Sequence, residues 1–413
     1  MALDDLVCGE CGARRWLRAG RTNGGHTPVP FIGSEYDRPR PTHHATGVAL
    51  SDAQISAPTM KRLILCCDGT WSTADQQRNG SPCPTNVVKL AYRVAKHDAA
   101  GVPQVIFYDQ GVGTGNYADR LTGGAFGDGL EDNIHDAYRF LIANYEPGDE
   151  LWLFGFSRGA FTARSIAGMI RKCGILARTS VGQYVAAKQL YHAADAHPDD
   201  ERAVRFRGEH SCCGMDPIRI RFVGVWDTVG ALGIPLAGLR GLTLRDVDFH
   251  DTELSGTVEL AYHALAVDER RKPFIPSLWL EKPKPKQVVE QTWFPGVHSD
   301  VGGGYPESAL PDVALEWMIG KAKGAGLAMD EDFLHQYPLH PDPLGTLHDS
   351  RSFLYKFTKS VDRPIATEDA SGNPTTQRVH ESVLTRWDRD PSYRPKNVRD
   401  WLARRADPRA GRP

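Results

Sequence analysis

The sequence predicts an α/β fold, built on a mostly parallel sheet with helices on both faces and insertions that cap it. Three observations carry this. From residue 60 onward, short apolar runs ending in Gly or Asp alternate with amphipathic stretches of helical period. The runs read as buried strands separated by helices. The stretches between them are long enough for right-handed crossovers between parallel strands.

Taken in order, RLILCCDGTW (62–71) reads as a strand, and PTNVVKLAYRVAKH (84–97) as a helix with Pro84 and Thr85 at its start. QVIFYDQGVGTG (104–115) is a strand and EDNIHDAYRFLIANY (131–145) a helix. ELWLFGFS (150–157) is a strand leading into the helix RGAFTARSIAGMIRKCG (158–174), closed by Gly174. IRIRFVGVWDTVG (218–230) and VVEQTWFPGVHSD (288–300) are further strands, the second followed by the helix LPDVALEWMIGKAKGAG (310–326). Residues 177–215 and 231–285 interrupt the alternation. As insertions they are candidate cap or substrate-binding elements, since loops beyond the carboxyl ends of strands overhang the ligand crevice.

With 413 residues, 41% of them hydrophobic, the chain can bury a sizeable core. Residues 1–59, rich in Gly, Pro, Arg, His and Thr, show no sustained period and are expected to be a disordered leader. Met60 is then a candidate true start, the catalytic domain runs over 60–402, and residues 403–413 form a disordered tail. Cys8 and Cys11 make half a zinc site, with His26, His43 and His44 as conceivable further ligands, but no second pair follows at a metal-binding spacing. A net charge of −2 with interspersed signs excludes a nucleic-acid footprint. The eight cysteines do not form a secretory disulfide framework, and neither a signal peptide nor a transmembrane run is visible. The expectation is a protein cytoplasmic as synthesised; delivery outside the cell without a signal peptide would leave no mark.

Gly155-x-Ser157-x-Gly159 matches the nucleophile elbow, in which a Ser occupies a tight strand-to-helix turn and projects its hydroxyl above the sheet. The apolar ELWLF before it and the helical AFTARSIAGMI after it supply the required context. A plain turn Ser is the competing reading. A Ser hydroxyl needs a His to take its proton and a carboxylate to orient that His, and in elbow folds both follow the Ser in the chain. His298 is the expected base: among the downstream histidines it sits at the end of an apolar strand and before a Gly-rich loop. His192, His197, His210, His250, His263, His335, His340, His348 and His380 lack that setting. For the acid, Asp227 ends the strand RIRFVGVW, with Asp268 and Asp300 in reserve. Arg158 N–H and a donor from Gly69 or Thr70 are expected to form the oxyanion hole, beside the turn former Asp68; DQGVGTG (109–115) is the alternative source. No Lys-Ser or Lys-Thr follows those glycines, so a P-loop is excluded. LILCCDGT superficially resembles a haloacid-dehalogenase motif, but Cys66 stands where the nucleophilic Asp is required.

Five blocks in order, LILCCDGTW, GFSRGAFTAR, FVGVWDTVG, HALAVDERR and WFPGVHSDVGGGY, resemble the catalytic domain of the type VI secretion lipase effectors, an α/β-hydrolase family. The resemblance covers roughly residues 60–400 and includes a late VHESVLTR and YRPKNV like the family's closing segment. It implies a cofactor-independent serine esterase acting on phospholipid-like acyl esters, with Ser157 as nucleophile, His298 as base and Asp227 as acid. Secretion-apparatus or immunity proteins are the partners it implies, besides a lipid or small ester substrate. The alternatives are a non-lipolytic carboxylesterase and a catalytically silent interaction module on the same fold.

Overall fold

A computed structural model describes residues 60–69, 72–111, 124–230, 254–279, 283–351 and 360–407, with the backbone alone over 124–128. Cys8, Cys11 and the rest of residues 1–59, Thr70, His250 and residues 112–115 lie outside the described residues. In chain order the elements are β1 (Arg62–Cys67), a hairpin of β2 (Gln77–Arg78) and β3 (Ser81–Pro82), α1 (Asn86–Arg93), β4 (Gln104–Asp109), α2 (Gly124–Asn144), β5 (Glu150–Phe156) and α3 (Arg158–Cys173). They continue with α4 (Tyr184–His192), α5 (Glu201–His210), β6 (Ile220–Trp226), β7 (Val258–Ala266), β8 (Val288–Phe294), α6 (His298–Gly302), α7 (Ala309–Gly324) and α8 (Glu331–Gln336). The chain closes through β9 (Gln377–Val379), α9 (Glu381–Arg389) and α10 (Lys396–Arg404).

Seven strands form one sheet in the order β4-β1-β5-β6-β7-β8-β9. Every neighbouring pair in it is parallel. Alternate residues of the central strands divide the core into two layers. Leu63, Leu65, Leu151 and Leu153 pack with Ile134 and Leu141 of α2 and with Ile166 and Ile170 of α3. Ile64, Cys66, Trp152 and Phe154 face Val87 and Leu90 of α1 and Leu315 and Met318 of α7. Full burial of one such Leu or Phe contributes about 1.5–3 kcal/mol, so a one-residue slip that exchanged the layers would be strongly opposed. A third cluster, including Trp293, Trp387 and Trp401, fastens α9 and α10 beside β8.

Local chemistry sets the element ends. Thr85 caps α1 by accepting the Val88 N–H at 3.2 Å. Gly174 ends α3 at φ +71°, its N–H donating to the Ile170 carbonyl at 2.9 Å.

Three expectations are corrected. The interval 231–285 contains β7, a central strand paired to β6 and β8; Glu259, Tyr262 and His263 interrupt its apolar run, and pairing on both sides compensates. Residues 177–215 do not overhang the crevice. Cys173 and Lys172, in the last turn of α3, donate to backbone carbonyls of Ala187, Tyr191 and Ala193, so α4 sits at the end of α3 remote from Ser157. A helix that crosses back from a strand's carboxyl end delivers the chain to the amino edge, and an insertion made there stays there. Finally, α10 runs to Arg404, past residue 402. No helix among the described residues is long and apolar enough to cross a membrane.

From β1 the chain steps outward to β4, then returns to place β5 on the other side of β1. Strand order therefore reverses between β1 and β5, and a crevice opens at their carboxyl ends. Asp68 and Gly69 follow β1 at that edge; Ser157 follows β5.

Candidate active site

Ser157 joins β5 to α3 at φ 58° and ψ −121°, a strained conformation for a residue with a Cβ. Its N–H donates to the Trp226 carbonyl at 3.0 Å, which fixes the turn against β6. The glycines on either side are sterically required. A Cβ on Gly155 would collide with the backbone of Gly159 and Ala160, and one on Gly159 with the carbonyls of Cys67 and Asp68. The sharp turn thus brings the start of α3 against the end of β1. Although Ser157 stands at the N-cap position, its hydroxyl makes no capping bond. It lies instead 2.8 Å from His298 Nε2.

His298 opens α6 shortly after β8. Gly296, at φ +116°, turns the chain there, and the Val297 N–H donates to Asp300 Oδ2 at 3.0 Å. The ring packs between Phe156 and Phe274, at centroid distances of 4.7 and 4.9 Å. Its backbone N–H donates to Glu269 Oε2 at 3.3 Å, and Glu269 is itself gripped by both arms of Arg271. The Gly-rich loop that follows is needed for the same approach: a Cβ on Gly302 would enter the Phe156 ring.

His298 Nδ1 lies 2.6 Å from Asp227 Oδ2. A carboxylate only accepts, so Nδ1 carries the proton, and in the neutral ring Nε2 is left to accept from the Ser157 hydroxyl. Asp227 is fully buried, at φ 39° just past β6. Its Oδ1 accepts the Ala266 N–H at 3.0 Å and Arg363 Nη1 at 2.7 Å, while Arg363 Nη2 reaches Oδ2 at 3.0 Å. Burial alone would raise its carboxyl, but the Arg363 guanidinium and His298 outweigh that and hold it well below the usual carboxylate range. Arg363 is positioned in turn by the carbonyls of Ala266 and Phe274.

The reserve carboxylates do other work. Asp268 accepts from the Gly296 N–H at 2.7 Å and the Tyr393 hydroxyl at 3.0 Å, bracing the turn before His298. Asp300 caps α6 and binds His348 Nδ1 at 2.6 Å. His263 lies within β7, where its Nε2 accepts the Thr228 N–H at 3.0 Å, and burial lowers it to about 3, so it stays neutral. His380 caps α9, and His192 is the last residue of α4.

Arg158 begins α3, whose first-turn N–H groups have no intrahelical acceptors. Its N–H is thus oriented from the start of the helix. The Gly69 N–H donates to Asp68 Oδ1 at 2.6 Å, and Asp68 Oδ2 accepts from the Thr85 and Tyr108 hydroxyls at 2.8 and 2.7 Å. No cation pairs with it in these contacts, and burial pushes its carboxyl up to about 6.

Residues 61–321, more than half of the chain, match the family model described as the type VI secretion phospholipase effector Tle1-like catalytic domain. The chain belongs to this Tle1-like family. An uncharacterized protein of Saccharomyces cerevisiae, YEL023C, is 32% identical over 234 residues, which are 52% of this chain and 32% of that protein. The chain thus spans about a third of the length of that curated relative. Among solved structures, an uncharacterized protein from Pseudomonas aeruginosa is similar at 19% identity and a TM-score of 0.39, over 66% of this chain and 46% of that one. The Tle1 effector bound to the VgrG spike of the type VI secretion system is similar at 18% identity and a TM-score of 0.32, over 61% of this chain and 52% of that one. The Tle1-like match takes in Ser157, Asp227 and His298 but ends before Arg363. Nothing in the sequence singled out Arg363 or Glu269: one lies in an irregular stretch before Pro364, the other beside the more conspicuous Asp268.

Proposed function

We propose that this Tle1-like domain is a serine hydrolase that cleaves carboxylic esters of phospholipids through an acyl-enzyme. The observation that carries the reading is the hydroxyl of Ser157, held at a strained turn and 2.8 Å from His298 Nε2 instead of capping its own helix. His298 takes the Ser157 proton as Oγ attacks the ester carbonyl, and Asp227 stabilises the imidazolium that forms. Arg158 N–H supplies one oxyanion donor, and the Gly69–Thr70 segment supplies the second. Gly69 N–H serves in that role only when Asp68 releases it. Collapse of the tetrahedral intermediate expels the alcohol with a proton from His298, and water activated by the same ring then frees the acid. We place the catalytic domain from residue 60 through α10. We further propose that it is delivered as a type VI effector, with apparatus and immunity proteins as partners; the family assignment is what supports this reading.

Fluorophosphonate labelling with peptide mapping tests the nucleophile. Label on the Ser157 peptide of the wild type, absent in a folded Ser157→Ala variant, is the expected result; label elsewhere, or none, overturns it. Acyl release from phospholipid vesicles that exceeds cleavage of short-chain esters supports the lipid reading. The reverse preference makes the domain a carboxylesterase.

A further inference from the structure

A second cluster of ligating side chains lies on the flank of the sheet, away from the serine. Glu131 and His135 are four residues apart on α2 and so share a face. Lys188 and His192 have the same spacing on α4, and the two faces meet. Glu131 Oε1 lies 3.3 Å from His135 Nε2 and 3.0 Å from His192 Nε2. One ligand atom from each of Glu131, His135 and His192 lies within 4.8 Å of the others. Tetrahedral Zn²⁺ with bonds of about 2.0–2.1 Å places its ligands about 3.3–3.4 Å apart.

We propose that Glu131, His135 and His192 form a binding site for a borderline divalent metal ion, Zn²⁺ above all. The donor set, two imidazole nitrogens and one carboxylate, is of the kind that suits zinc and leaves a fourth position for water. Hard oxygen-seeking cations are poorly served by it. His135 is buried and fixed edge-on against Tyr184, at a centroid distance of 5.6 Å. The Glu131 and His192 side chains are about a third and a half exposed, so an ion can enter from solvent. Lys188 Nζ, 2.7 Å from the same Glu131 oxygen, competes for it. Its side chain is 40% exposed and can withdraw into water as the metal arrives. Since His192 ends α4 and the other two ligands belong to α2, the ion would fasten the 177–215 insertion to the helix layer of the sheet.

The test is Zn²⁺ titration of the full-length chain against a chromophoric chelator, in a Cys8→Ser/Cys11→Ser background that removes the leader's thiol pair, with thermal melts in parallel. One equivalent should bind, raise the melting temperature, and be weakened at least about tenfold by His192→Ala or Glu131→Gln. Lys188→Met should tighten binding, because the competing cation is gone. His192 is exposed enough for its replacement to leave the fold intact, which circular dichroism checks. Binding and melting shift unchanged in folded His192→Ala overturn the site. So does a wild type that takes up no Zn²⁺, or binding that appears only in Lys188→Met; the cluster is then an ion-pair network.

Discussion

Two carboxylates stand at the carboxyl edge of the same sheet, both buried, and their surroundings drive them in opposite directions. Asp227 meets a guanidinium in a two-pronged contact and a histidine ring, so ionisation is favoured despite burial. Asp68 meets two hydroxyls and one backbone N–H, none of them charged, and burial lifts it to about 6. Depth is common to both, and the charge of the partners separates them. The ionised group orients the histidine beside Ser157. The other holds the Gly69 N–H at the neighbouring strand end.

The contrast is broken most severely by Asp227→Asn. An amide at this position can donate to Nδ1 and stabilise the wrong tautomer, turning the proton-bearing nitrogen towards Ser157. The expected loss is about 10⁴-fold in kcat for ester hydrolysis, with the Ser157 hydroxyl in place. An unchanged kcat in a folded variant would remove Asp227 from the mechanism. Arg363→Met comes next, because it strips the cation from a fully buried carboxylate. Breaking such a pair costs about 3–5 kcal/mol, read as a lower urea midpoint with unaltered slope. The sign with pH is fixed. Asp227, depressed in the folded state, contributes stability above its unfolded pKa of 3.8 and loses it as pH falls through the folded value. The Arg363→Met deficit should therefore be larger at neutral pH than in acid.

How much of this was legible in the sequence depends on what each residue follows. Ser157, Asp227 and His298 each come just after an apolar run, and in a parallel sheet the ends of such runs converge on one edge; the structure hydrogen-bonds the three in series. The sheet itself was readable for the same reason, except β7, whose apolar run is broken by polar residues, and β9, which is only three residues long. Arg363 was not readable, because its role comes from a backbone path through an irregular stretch with no period. Glu131, His135 and His192 were invisible as a set: one i,i+4 pair is common on helices, and the third member arrives through the packing of an insertion. The position of that insertion followed from the direction of α3, a rule the sequence contains but composition does not advertise.

The smallest effect, and the one that sharpens the comparison, is expected from Asp68→Asn. The amide oxygen still accepts from Thr85 and Tyr108, so the packing around β1 and β4 is retained, but the amide nitrogen cannot accept the Gly69 N–H. That loss costs the variant about 0.5–1.5 kcal/mol at every pH, whereas the cost of ionising a buried carboxyl with no charged partner among the described contacts depends on pH. Below pH 3.8 the folded and unfolded chains both hold the proton, and the variant should trail the wild type only by the lost Gly69 bond. Between 3.8 and about 6 the unfolded chain releases the proton first, so wild-type stability falls as pH rises, while the variant is unaffected. Above about 6 the difference is again constant, having moved on the order of 3 kcal/mol towards the variant from its value below pH 3.8. Urea midpoints at pH 4, 5, 6 and 7.5 measure it. A difference that moves towards the variant over this range puts Asp68 on the opposite limb of the pH curve from Asp227. A constant difference, or one that moves towards the wild type with rising pH, would mean that Asp68 is held ionised as Asp227 is, and the two carboxylates would then differ in position but not in electrostatics.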